Sequence, residues 1–158
     1  DLGCCPSPFD SYLMTLGLET LSLRVRHEVE SARRLAEYCR NHPKVERVSF
    51  VGFESHPSYA NAKKYFRFGS SAVFTIELKG TLDSTVRFVE SLNLAAHMVM
   101  IGDSVTVVTH PASTTHKQLS DADLAAAGVT PTMLRISVGL ENTDDLIDDF
   151  EQAFAHIG

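Results

Sequence analysis

The stretch TMLRISVGLE, residues 132–141, decides the fold because apolar side chains alternate along it with the period of a β-strand. The apolar face of this strand carries Leu134, Ile136, Val138 and Leu140. Arg135 stands at the centre of the other face. It is either a solvated charge on a face that meets water, or a planar guanidinium that binds a carboxylate or phosphate. Spacing alone leaves both interpretations open.

A long helical pattern opens the chain. Residues 7–44 place apolar side chains three and four positions apart, which predicts one helix over most of this range. Gly17 interrupts the pattern and predicts a bend or a close contact there. The sequence Asn41-His42-Pro43 ends the helix. A helix of this length at one end of a small domain is typical of a bridge to another domain.

Shorter elements follow this helix. The pattern predicts strands over 45–52 and 71–80, separated by a short helix over 56–66. Residues 82–93 are typical of a helix, and its predicted apolar stripe consists of Leu82, Val86, Val89 and Leu92. Two strand-like runs, AAHMVMIG (95–102) and SVTVVTH (104–110), are joined across the turn pair Gly102-Asp103.

Two more helices complete the pattern. Ser120 and Asp123 form a capping box for one helix, which Gly128 closes. The last helix begins at Asn142-Thr143, and its apolar stripe consists of Leu146, Ile147, Phe150 and Phe154. The order of elements predicts an α+β fold, in which helices cover one face of a small, mostly antiparallel sheet.

Composition excludes several classes of protein. The 158 residues are 44% hydrophobic and 22% charged, which is typical of one soluble globular domain. A net charge of −6 argues against nucleic acid as a partner. No apolar run is long enough to span a membrane, and no signal peptide opens the chain. Three cysteines form no disulfide framework. We therefore expect a cytoplasmic protein, and the absence of an initiator methionine suggests a piece of a longer one.

Few residues are candidates for chemistry. His97, His110 and His116 lie near Asp103 in sequence, but their spacings match no metal-ligand pattern, so we predict no metal. Cys4 and Cys5 have no base nearby in sequence that would make either a nucleophile. The loop THPASTTH (109–116) is rich in hydroxyl groups. It is either an ordinary surface loop or a loop that converges with Arg135 on a bound carboxylate.

Four segments together resemble the C-terminal domain of the Cys/Met-metabolism family of pyridoxal-phosphate enzymes. They are GCCPSPFDSYLMTLGLETLSLR (3–24), HPKVERVSFVGFESHPSYANAKKYF (42–66), GDSVTVVTHPASTTHKQLSDADLAAAGVTP (102–131) and LRISVGLENTDDLIDDFEQAF (134–154). The combination of the HPAS-T-TH loop with the LR-SVGLE strand is specific for this family. Within the family, SHPSYANAKKY (55–65) and HPASTTHKQLSDADLAAAGVTP (110–131) look most like O-acetylhomoserine sulfhydrylase, whereas PSPFDSYL (6–13) looks as much like the lyases.

The resemblance implies a fold-type I enzyme whose large domain holds pyridoxal phosphate. In that family the Schiff-base lysine lies upstream of the SPF motif (7–9), so we expect no catalytic or cofactor-binding residue in this chain. Residues 1–8 would end the linker from a missing large domain. Residues 9–158 would be the C-terminal substrate-binding domain, including a bridging helix over about 9–40. The isolated chain is expected to be inactive, and the full-length enzyme to be a homo-oligomer.

The resemblance also assigns three candidate site residues. Arg135 matches the strand arginine that binds the α-carboxylate of the amino-acid substrate. Thr115 matches a loop threonine beside that arginine. Met100 stands where the family has a polar Ser or Asn that also reaches the carboxylate, and a thioether cannot donate a hydrogen bond to it. Its backbone N–H or a neighbour would then make that contact, or Met100 is a core residue.

The function implied is that of a sulfhydrylase that makes homocysteine, or methionine, from O-acetylhomoserine and a sulfur donor. A cystathionine or methionine gamma-lyase and a cystathionine gamma-synthase are alternatives within the family. A free-standing module that binds a small ligand is an alternative of another class, since composition fits it equally well.

Overall fold

The computed structural model describes residues 3–157, with the side chain of Asp121 excepted. Its sheet has five strands: β1 (Val45–Ser49), β2 (Val73–Leu78), β3 (Ala96–His97), β4 (Val107–Thr109) and β5 (Met133–Ser137). Their order in the sheet is β1-β2-β5-β4-β3. The β3–β4 pair is parallel and the other three are antiparallel. The predicted α+β fold with a mostly antiparallel sheet is confirmed, and β5 is its central strand.

Within residues 3–157, six helices accompany the sheet. They are α1 (Pro8–Glu19), α2 (Leu21–Asn41), α3 (Tyr59–Tyr65), α4 (Leu82–Glu90), α5 (Asp121–Ala126) and α6 (Thr143–Ala155), with a short 3-10 turn at Pro111–Ser113. The core lies between one face of the sheet and the helices α2, α4 and α6. The apolar side chains of β5 and those of α2, α4 and α6 belong to one buried cluster. None of the described helices combines the length and apolar character needed to cross a bilayer.

The two faces of the sheet differ as the alternation of β2 and β5 predicted. Phe74, Ile76, Leu134 and Ile136 are buried against the helices. Thr75 and Arg135, which point to the other face, are only half-buried. The sheet therefore presents one partly open, polar face, and Arg135 stands at its centre.

The first helical pattern forms two helices, where the sequence predicted one. The break falls at Thr20, and not at Gly17, which lies inside α1 and would have open space around a Cβ atom. At the break, Nη1 of Arg24 donates to the carbonyl of Gly17 (3.1 Å) and to Oγ1 of Thr20 (2.6 Å). A charged donor satisfies polar groups at the corner, so the chain turns there without leaving them unpaired.

The predicted apolar stripe of α4 is wrong in part. Its buried residues are Ser84, Thr85, Phe88 and Val89, whereas Leu82 is exposed. A capping box between Thr81 and Ser84 fixes the start of the helix. The ring of Phe88 then packs against the rings of Phe150 (5.6 Å) and Phe154 (4.7 Å) on α6. Burial of this large ring stabilises the observed orientation of α4 more than burial of the Leu82 side chain would. The stripe of α6 is confirmed, because Leu146, Phe150 and Phe154 are buried and Ile147 is partly buried.

Residues 95–110 do not form two strands joined by a tight turn. The first strand, β3, has only two residues and pairs in parallel with β4. Parallel neighbours cannot be joined by a hairpin, so residues 98–106 travel back along the sheet before β4 begins. The buried carboxylate of Asp149 accepts hydrogen bonds from the backbone N–H groups of Asn93, Leu94 and Ala95, and fixes the chain just before β3.

Candidate functional site

Arg135 occupies the middle of the open sheet face, between two threonines. The register places it opposite Thr75 on β2 and opposite Thr109 on β4. Its Nη2 donates to Oγ1 of Thr109 across 3.3 Å. The alternation of β5 puts this side chain away from the core, and β5 is the central strand of the sheet.

The guanidinium of Arg135 has donors without acceptors. Its Nε is buried and makes no hydrogen bond among the described residues. None of the ion pairs between described residues includes it. An arginine has five N–H donors in a fixed planar fork, and a buried donor without an acceptor costs about 1–3 kcal/mol. The arrangement favours an external acceptor, and a carboxylate is the acceptor that matches the fork.

Residues 98–102, which we call the 98–102 segment, are attached to the same face at both ends. The carbonyl of Met98 accepts from Thr109 Oγ1 (2.6 Å), and the N–H of Gly102 donates to Ser137 Oγ (3.2 Å). Ser137 lies two residues beyond Arg135 and therefore points to the same side of β5. The segment thus borders the face that carries Arg135.

Met100 lies within this segment, but not on a strand. The strand-like run predicted over 95–102 does not reach it, because the chain leaves the sheet after His97. The alternative, that Met100 is a core residue, is also wrong, because its side chain is 46% exposed. Met100 lines a cavity of about 380 Å³ together with Arg24 and residues 101–104. Arg24 therefore borders the same cavity as the 98–102 segment, whereas Arg135 is not among the residues that line it.

The SVGLE motif (137–141) fixes residues 104–106 against the end of β5, which sequence reasoning missed. The carboxylate of Glu141 accepts from the N–H (2.6 Å) and the hydroxyl (2.7 Å) of Thr106. The N–H of Gly139 donates to the same hydroxyl oxygen. A Cβ atom on Gly139 would lie 2.5 Å from the carbonyl oxygen of Ser104, so only glycine permits this approach. The motif was visible in the sequence, but its partner at Thr106 was not.

The polar loop after β4 is held by His110. This side chain is buried, and its ring nitrogens lie 2.8 Å from Ser113 Oγ and 2.9 Å from the carbonyl of Pro131. Because a carbonyl only accepts, Nε2 donates to Pro131 and Nδ1 accepts from Ser113. His110 therefore ties the loop to the chain that leads into β5, and neither nitrogen faces a ligand.

Thr115 and the remaining histidines show no converging site. Thr115 is exposed, and its hydroxyl lies 2.8 Å from Nδ1 of His116. Among the described residues, no hydrogen bond joins Thr115 to Arg135. The threonine that accepts a hydrogen bond from Arg135 is Thr109. Within the described part of the chain, no group of three or more His, Cys, Asp or Glu side chains could hold a metal ion.

The described lysines do not fit a site for pyridoxal phosphate. Lys44 donates to the backbone carbonyls of Phe154 and Ile157 at the end of α6, and Lys79 donates to that of Pro43. The ammonium groups of Lys63 and Lys64 lie over tyrosine rings. Lys117 is exposed on the loop that precedes α5. Among the described residues, none of these five lysines forms a hydrogen bond with Arg135.

Comparison with known proteins agrees with the resemblance. The family model of the Cys/Met metabolism PLP-dependent enzymes matches residues 1–155. A homocysteine synthase of Schizosaccharomyces pombe is 46% identical over 153 residues, which cover 97% of this chain and 36% of that protein. A sulfhydrylase of Fusarium oxysporum is 44% identical over 154 residues, which cover 98% of this chain and 36% of that protein.

A solved structure shares the fold. The putative O-acetylhomoserine (thiol)-lyase of Campylobacter jejuni superposes with a TM-score of 0.89 at 36% identity, over 98% of this chain and 37% of that one. That structure contains a pyridoxyl-lysine phosphate residue. The present chain spans little more than a third of the length of the relatives it matches. With a family match over nearly its whole length, the chain belongs to the Cys/Met-metabolism family of pyridoxal-phosphate-dependent enzymes.

Proposed function

We propose that this chain is the C-terminal, substrate-binding part of a longer sulfhydrylase that makes homocysteine, or methionine, from O-acetylhomoserine and a sulfur donor. The names of the relatives support this substrate, since they are sulfhydrylases, a homocysteine synthase and an O-acetylhomoserine thiol-lyase. Their length supports the longer chain, because the present residues cover only 36% of the first two. Pyridoxal phosphate, held outside this chain, would supply the electron sink.

The observation that carries the proposal is the guanidinium of Arg135, whose Nε has no acceptor and which forms no ion pair among the described residues. An amino-acid substrate has an α-carboxylate whose two oxygens match the planar fork. A hydrogen-bonded pair of this kind contributes about 1.5–3 kcal/mol. It also orients the amino acid, so that its reacting bonds point toward the large domain. The role of this chain is therefore to bind and orient, and its residues supply no acid or base.

Met100 and Thr115 remain proposed members of the same site. The 98–102 segment borders the face of Arg135 at both ends, which supports a contact between its backbone N–H groups and the substrate carboxylate. Thr115 belongs to an exposed loop, and its contact with the substrate would need the loop to fold over the bound amino acid.

The exposed surface of α1 supports the proposal that the full-length protein has a large domain outside this chain. None of its residues is buried, and its exposed side chains include Phe9 (66%), Met14 (63%) and Leu18 (65%). An apolar surface of this kind on a helix is typical of an interface. We propose that the large domain covers it, with residues 1–8 as the end of the linker and residues 9–158 as the second domain. The full-length enzyme would form a homo-oligomer.

Replacement of Arg135 tests the binding role in the full-length enzyme. Arg135→Ala removes the fork, so KM for O-acetylhomoserine should rise while the melting temperature changes little. Arg135→Lys keeps the charge but not the paired geometry, and should recover only part of the loss. A fall in kcat/KM of less than about fivefold would correspond to roughly 1 kcal/mol of lost binding. That result would contradict the carboxylate role.

The same full-length enzyme distinguishes the alternatives within the family. It should convert O-acetylhomoserine with sulfide faster than it cleaves cystathionine or methionine. The reverse order would make it a lyase, and the absence of turnover with all three would favour a ligand-binding module.

A further inference from the structure

Thr109 joins three parts of the candidate site through one hydroxyl group. It lies at the end of β4, is buried, and stands opposite Arg135 in the register of β4 and β5. Its Oγ1 lies 2.6 Å from the carbonyl oxygen of Met98 and 3.3 Å from Nη2 of Arg135. The hydroxyl therefore connects the sheet, the guanidinium and the 98–102 segment.

The directions of these two hydrogen bonds follow from the groups involved. A threonine hydroxyl has one proton and two lone pairs. The carbonyl of Met98 can only accept, so the proton points to it. The lone pairs of Oγ1 are then left for the N–H of Arg135. Because the short bond to Met98 prevents the hydroxyl from turning its proton toward the guanidinium, Thr109 is a fixed acceptor.

A fixed acceptor matters because arginine has a long side chain with many rotamers. A guanidinium that is already held in place loses less conformational freedom when a carboxylate binds. The bond to Met98 adds a second effect, since the same oxygen also fixes one end of the 98–102 segment. The positions of the guanidinium and of the segment therefore depend on one side chain.

We propose that Thr109 is a positioning residue, which holds the Arg135 guanidinium in the orientation that receives the substrate carboxylate and sets the 98–102 segment beside it. This role rests on the function proposed for Arg135. Thr109 acts through Arg135 and the 98–102 segment and does not itself bind the substrate.

The experiment uses the full-length enzyme with its cofactor and varies O-acetylhomoserine. Thr109→Val keeps the shape and removes both hydrogen bonds, and should raise KM about three- to tenfold with kcat within about twofold. Thr109→Ser keeps the hydroxyl and should restore KM to within about twofold of the parent. Thr75→Val is the matched control, because Thr75 stands opposite Arg135 on its other side without a described hydrogen bond to it. It should leave KM unchanged.

A double-mutant cycle with Arg135→Ala separates a positioning role from a structural one. Without the guanidinium, Thr109→Val should lower kcat/KM clearly less than it does in the parent enzyme, because only the effect carried by the 98–102 segment remains. A similar loss in both backgrounds would overturn the proposal, and so would a failure of Thr109→Ser to restore KM. If Thr109→Val folds poorly, Thr109→Ala replaces it in the cycle. A normal KM in Arg135→Ala alone would instead contradict the proposed function, so the two failures are distinct.

Discussion

Arg135 and Thr109 show what a sequence can and cannot reveal about single residues. A charge at the centre of an alternating strand is visible in the sequence, and the resemblance to a family assigns it a partner. Thr109 is not visible in this way, because its importance depends on the register between β4 and β5. These strands are separated by more than twenty residues, and no local pattern specifies how they align. Sequence reasoning therefore identified Thr115 in the loop and missed Thr109.

A single substitution can test whether Met100 belongs to the substrate site. Because Met100 is partly exposed, Met100→Asn in the full-length enzyme should change the melting temperature little. If Met100 borders the substrate carboxylate, the new amide donor should lower KM for O-acetylhomoserine, since a donor then faces an anion. Steady-state kinetics and a thermal melt measure both effects. An unchanged KM would remove Met100 from the site, and Met100→Leu serves as the control for a change of side chain without a donor.

Among the secondary-structure elements, some are specified by local sequence signals and others by contacts between distant residues. The helices α5 and α6, and the C-terminal end of α2, could be predicted because caps, periodicity and stop residues are local signals. Residues 98–101 are as apolar as a strand, yet they leave the sheet. The bond from Thr109 to the Met98 carbonyl and the parallel pairing of β3 decide their path, and both are contacts between distant residues. Tertiary contacts override strand propensity here.

The helix α2 carries a buried carboxyl group that makes stability depend on pH. Burial raises the pKa of Glu28 above its usual 4.5, and the charges of Arg24 and His27 only partly oppose this. At acid pH the group is protonated in both the folded and the unfolded chain. As pH rises, the unfolded chain loses the proton first, so the free energy of unfolding falls until the folded pKa is passed.

We therefore expect Glu28→Gln to raise the melting temperature of the chain at neutral pH, and to lose this advantage toward about pH 4. Glu30→Gln is the matched control on the same helix. Glu30 is exposed, and its hydrogen bond with Arg33 lowers its pKa, so that variant should gain nothing at neutral pH. Melts across the pH range check both. An equal or lower melting temperature for Glu28→Gln at every pH would contradict the assignment.

At the scale of the whole molecule, the fold class followed from the order of elements, whereas the family followed from motifs. The distribution of lysines leads to a prediction for the isolated chain. Lys44 and Lys79 are engaged with backbone carbonyls. Lys63, Lys64 and Lys117 are exposed, and none of the five stands at the family's Schiff-base position. Pyridoxal phosphate should therefore give no stoichiometric adduct at one lysine after borohydride reduction. Mass spectrometry of the reduced chain is the measurement, with the full-length enzyme as the positive control. One fully modified lysine would show that this part of the protein holds the cofactor.

The apolar surface of α1 has a consequence for synthesis on the ribosome. If the large domain precedes this chain, it emerges first and folds before α1 is made, because domains generally fold in the order of their synthesis. The exposed rings of Phe9 and Tyr12 would then meet a finished partner as soon as they leave the exit tunnel. A chain translated without that partner would offer the same surface to other nascent chains, so the order of translation itself would protect this protein from aggregation.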